Sequence, residues 1–120
     1  MKFFSIFTPD PKSASAPPSP ERSAAMGKLM EESIQQKSLI ATGMLLTDPQ
    51  GGLRVQLFGD SFTVSNQPGA LAEAAGRRSG FAVLQAKSRE EVIEFVRNFL
   101  KVAGGGEVEL CQIPDQTVGL

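Results

Sequence analysis

The side chains able to do chemistry in this chain are few and scattered. Its 120 residues include no histidine, tyrosine or tryptophan, and a single cysteine, Cys111. Without histidine the chain lacks the ordinary general base near neutral pH and the commonest metal ligand. Any reaction would fall to carboxylates, Lys, Ser/Thr, Arg or Cys111. Glu31 and Glu32 are adjacent, but neighbours on a helix point about 100° apart, and a solvated face explains them more simply than a carboxylate pair. Cys111 lies near Glu109 with no clear basic neighbour, so its thiol reads as inert. Gly104-Gly105-Gly106 follows a helical pattern instead of opening one and is no phosphate loop. Arg77-Arg78 remain; such a pair either grips an anion at a cleft or is simply solvated. No metal site and no cofactor are expected.

Those residues are carried by alternating strand and helix patterns. KFFSIFT (2–8) is dense in Phe and Ile and reads as a strand buried on both faces. The proline-rich stretch 9–19 reads as a surface loop, either a passive connector or a docking segment. Ser19, Pro20 and Glu21 are helix-start residues. Behind them Met26, Leu29, Met30 and Ile34 fall at helical spacing, the methionines as core filling or as a ligand platform. LIATGMLLT (39–47), LRVQLF (53–58) and SFTVS (61–65) read as strands separated by turn residues, a meander of hairpins. Leu53, Val55 and Leu57 alternate with Arg54 and Gln56. Residues 69–75 suit a short Ala-rich helix, and GFAVLQAK (80–87) a further strand. Ser88 with Glu91 forms a capping box, followed by the stripe Val92, Phe95, Val96, Phe99 and Leu100. EVELCQI (107–113) is the last strand and 114–120 a loose tail.

Two split βαβ units in this order predict an α+β fold in one domain, 1–120: a ferredoxin-like antiparallel sheet with two helices on one face. Phe3, Phe4, Ile6 and Phe7 would then point to both faces of the sheet, as would Phe81, Ala82, Val83 and Leu84. So apolar an open face predicts a homodimer packed sheet against sheet. A net charge of -1 and a pI near 5.4 give no general attraction for nucleic acid or an anionic membrane surface. Neither an export signal nor a membrane span is visible in the sequence. The lone cysteine fits a reducing cytoplasm.

MKFFSIFTPDP, MGKLMEES, ATGMLLT, GFAVLQAKSREEVIEFV and GEVELCQI, in this order and spacing, resemble the YCII-related proteins, and within them the DGPF subgroup. The resemblance covers nearly the whole chain and rests on the ordered set, not on any single motif. It implies a dimeric α+β barrel with a cleft between the sheet and neighbouring loops, and it points to no defined reaction. Thr63 to Gly69 stands where that subgroup carries V-T-D-G-P-F. Pro68 alone of the four-letter motif is kept; Asn66 replaces its aspartate, Gln67 its glycine and Gly69 its phenylalanine. If the following tract carries a two-residue insertion, Glu73 meets the glutamate that follows the motif and Ala75 falls at the lysine position. Gly43 takes the place of a glutamate after the second strand.

Three ionisable positions around the expected cleft are therefore neutral, and Asn66 keeps hydrogen bonding without a titrating carboxylate. Asn66, Gln67, Pro68, Glu73, Arg77 and Arg78 are the candidate cleft-mouth residues, although Asn66 to Gly69 equally suit a plain turn. The sequence favours a binding module for a small molecule or partner without acid/base catalysis. The alternative is a cofactor-independent enzyme, isomerase or monooxygenase-like, which rests on fold analogy.

Overall fold

The computed structural model describes residues 1–14, 17–45, 52–65 and 69–119. The chain is α+β. Its strands are β1 (Lys2–Pro9), β2 (Leu39–Met44), β3 (Arg54–Phe58), β4 (Ser61–Ser65), β5 (Gly80–Gln85) and β6 (Gly106–Ile113). Its helices are α1 (Pro11–Ala14), α2 (Pro20–Gln35), α3 (Ala70–Gly76) and α4 (Arg89–Ala103). α1 is a single helical turn inside the expected proline-rich loop.

Local grammar sets the helix ends. The Ser19 hydroxyl accepts the Arg22 amide at 3.1 Å, and that of Ser88 accepts the Glu91 amide at 3.2 Å, each satisfying a donor the helix leaves free. α4 stops at Gly104, whose left-handed φ of 89° lets its amide turn back to Leu100. Gly104 to Lys101 and Gly105 to Leu100 complete a Schellman motif there, and α2 and α3 stop in the same way without glycine. Each closes with the paired bonds of a Schellman motif, Ser38 to Ser33 with Lys37 to Ile34, and Ser79 to Ala74 with Arg78 to Ala75. Lys37 and Arg78 hold the left-handed position, φ 61° and 57°, where glycine is usual.

Four strands form one antiparallel sheet in the order β2-β5-β1-β6. Register places Phe3 opposite Leu84, Ser5 opposite Ala82 and Leu110, and Phe7 opposite Gly80 and Val108. This face meets the helices: Phe3, Leu39, Leu84, Ala86 and Val92 form the buried core, with Met30, Phe95 and Val96 packed against it. The Phe7 and Phe99 rings meet edge to face at 5.0 Å. Every residue of the stripe expected on α4 is buried or half-buried. On α2, by contrast, Met26, Leu29 and Met30 are half-buried, Ser33 is buried and Ile34 is exposed. Ser33 can take the inner position because its hydroxyl donates to Leu29 O at 2.6 Å, so no polar atom is left unpaired.

The other face carries rows of side chains across the strands. One row is Ala41, Val83, Phe4 and Cys111; the next is Gly43, Phe81, Ile6 and Glu109. Within the single chain this face is not fully buried, as two helices on one side of the sheet imply. Val83 is enclosed, but Phe4 is 39% exposed, and its ring stacks on Phe81 with centroids 6.4 Å apart. The reason is layering: both long helices pack on the Phe3 side. The smallest dimension of the molecule, 20 Å, has room for a sheet and one helix layer.

The expected meander differs in one respect. β3 pairs with β4 alone, Val55 opposite Val64 and Leu57 opposite Phe62, as a separate two-stranded sheet. Alternation fixed which side chains share a face of β3, but carried no information on which strand lies beside it.

Candidate functional site

A cavity of about 320 Å³ lies between the sheet and the two long helices. Met26 and Met30 reach it from α2, Phe95 and Phe99 from α4, and Ser5 and Phe7 from β1. Val96 of α4 and Leu39, Leu84 and Val108 of the sheet complete its apolar wall. The Ser5 hydroxyl is spent on Ala82 O at 3.0 Å, so the wall it contributes is already hydrogen-bonded. Exposed Met44 and Arg78 mark where the cavity opens to solvent. Arg78 is the one ionisable side chain among the described residues that line it.

Arg78 is held there by backbone. The closing turn of α3 fixes its φ and ψ, and the next residue, Ser79, is fully buried with its hydroxyl 3.1 Å from that of Thr8. Such a left-handed conformation costs a residue with a Cβ about 1–2 kcal/mol. Lys37 adopts it as well, so the motif alone is no mark of function. What separates Arg78 is its place at the opening of an apolar cavity, with no ion-pair partner among the described residues.

Arg78 also borders a second, shallower cleft of about 590 Å³, together with Arg77, Thr8, Asp10, Gly106 and Glu107. That cleft holds two carboxylates beside the two arginines. The apolar cavity contains no such counter-charge among the described residues.

The candidates from the sequence thus separate. Arg77 and Arg78 lie at clefts, and Arg78 joins the two. Glu73 sits exposed in the first turn of α3 and lines neither. Asn66, Gln67 and Pro68 lie outside the described residues. Gly43 lines the cavity close to Phe81. Glu31 and Glu32 are exposed on α2, with Glu32 4.0 Å from Lys28. Cys111 is exposed on the Phe4 face. Of the methionine pair, weighed from the sequence as core or ligand platform, Met30 packs against the buried core, and both Met26 and Met30 border the cavity. Among the described residues no group of three His, Cys, Asp or Glu side chains is placed to hold a metal ion. No described helix is long and apolar enough to cross a membrane.

No protein-family model matches the chain, and no curated protein does.

Proposed function

We propose that this chain is a homodimeric, cytoplasmic binding module of the YCII-related, DGPF type. It would take a small amphipathic molecule, an apolar body with an anionic end, into the cavity between sheet and helices. The observation that carries this reading is the position of Arg78, a lone cation at the opening of an otherwise apolar space of about 320 Å³. That volume falls at the small end of ligand pockets, which pair apolar walls with few orienting polar groups. Arginine stays protonated and gives a carboxylate a bidentate partner. It supplies no base, which favours binding over the isomerase or monooxygenase alternative. The ferredoxin-like, dimeric-barrel reading draws support from the strand order, the two long helices on one face, and the apolar rows on the other.

Arg78→Gly separates binding from folding. Glycine suits the left-handed turn, so unfolding stability should hold or rise by up to about 1 kcal/mol. Decanoate should displace a fluorescent apolar probe from the wild-type chain more strongly than decanol does. In the variant that preference should fall about tenfold, the scale of one charge-assisted hydrogen bond. Equal displacement by acid and alcohol in the wild type, or an unchanged preference in the variant, would refute the role given to Arg78. No displacement by either compound would refute the cavity as a binding site.

A further inference from the structure

The β3–β4 hairpin has two unlike faces. Val55, Leu57, Phe62 and Val64 share one, through the cross-strand pairs Val55–Val64 and Leu57–Phe62. Arg54, Gln56, Thr63 and Ser65 share the other, with Phe58 at its tip end. Neither face is covered by another layer: the four apolar side chains are between 54% and 74% exposed, Leu53 just before the strand is exposed as well, and Arg54, Phe58 and Thr63 on the other face are exposed too. An isolated two-stranded hairpin is marginal in water, because it has no layer to pack on. This one pairs with no strand of the larger sheet. The molecule is accordingly extended, with a radius of gyration of 16.4 Å, where a compact chain of this length gives about 14 Å.

The chain thus leaves two apolar surfaces without a layer, the hairpin face and the Phe4–Phe81 face of the sheet. We propose that they cover each other between two copies, the hairpin of each lying across the open sheet face of its partner. This rests on the homodimer reading above and adds to it the element that closes the interface. Area favours a second copy as the occupant. Five hairpin side chains present on the order of 400 Å², and the sheet face adds a smaller surface from the same copy, with Phe4 39% exposed and Ile6 and Phe81 half-buried. Together they approach the roughly 800 Å² that each partner gives to a stable interface. The sheet face also has an apolar centre with a polar border, Lys2 and Gln85 at one end and Glu107 and Glu109 at the other. Arg54 on the hairpin has no ion-pair partner among the described residues of its own copy, and neither does Glu109. Two-fold symmetry uses both surfaces twice and leaves neither free to propagate a fibre.

Cys111 provides the test, since it is exposed on that sheet face and is the only cysteine in the chain. Single cysteines at Val55, Leu57, Phe62 and Val64 should include at least one that oxidises to a reducible covalent dimer, and Cys111→Ser in the same variant should abolish it. In sedimentation at about 20 µM the wild type should run at twice the 12.8 kDa chain mass. Leu57→Asp should shift it to the monomer with far-UV circular dichroism unchanged. Phe58→Asp, on the opposite face of the hairpin, should remain a dimer. A monomeric wild type overturns both the dimer reading and this one. A dimer that survives Leu57→Asp overturns the hairpin contact and leaves the dimer standing. Crosslinks absent at all four positions, or persisting after Cys111→Ser, overturn the partner's sheet as the surface that the hairpin covers.

Discussion

Gly43 shows how a single position ties sequence to packing. The family resemblance puts a glutamate here, yet a Cβ built on Gly43 would lie 2.8 Å from Phe81 Cε1. Phe81 occupies the space that a side chain would need, and its ring stacks on Phe4 of the adjacent strand β1. Glycine at 43 and phenylalanine at 81 are therefore one packing decision. Gly43→Glu should destabilise the chain by about 1–3 kcal/mol through overpacking. In a Phe81→Leu background the same change should cost markedly less. Urea unfolding of the four variants at one protein concentration measures the coupling; strictly additive effects would mean that the two positions do not compete for space. Residue types alone pointed to Arg77 and Arg78 as anion-gripping candidates. They did not distinguish the two, because which arginine borders the apolar cavity depends on where α3 ends and on the buried Ser79 that follows it.

The helices were the most legible elements, since their periodicity and caps lie within a few consecutive residues. The Ser88 cap, the α4 stripe and the Gly104 stop were all written locally. Ser88→Ala should lower stability by about 1 kcal/mol through the lost cap, and Ser88→Asp should restore most of it; no loss in the alanine variant would mean that packing alone sets the start of α4. Ile34 was misplaced because helical spacing cannot tell Ser33 from Ile34 when the serine bonds back to Leu29 O. The strands were legible as strands, but pairing is non-local. Nothing within 53–65 states that β3 and β4 stand apart from β2. The cavity was hidden for a related reason: Met26, Met30, Phe95 and Phe99 read as ordinary core residues, and the room left between them is set by how far apart α2 and α4 lie on the sheet.

At the scale of the whole molecule, the two-faced apolar pattern of β1 and β5 was legible before any fold was known, but the surface able to cover it was not. The structure leaves that sheet face partly exposed and puts a second uncovered apolar surface on the hairpin. If two copies bury these surfaces, dissociation exposes them, and stability must follow mass action. A hundredfold rise in protein concentration adds about 2.7 kcal/mol to a folded dimer relative to its separated chains. For a dimer of this size that corresponds to a rise in melting temperature of about 5–10 °C. Melting curves between 1 and 100 µM should show this rise for the wild type. Leu57→Asp should melt lower and at nearly the same temperature throughout, because a charge on the hairpin face removes the concentration-dependent step and leaves the helix-covered core of Phe3, Leu39, Leu84 and Val92 intact. A wild-type melting temperature that stays flat over this range would mean that the chain is stable alone with both apolar surfaces in water.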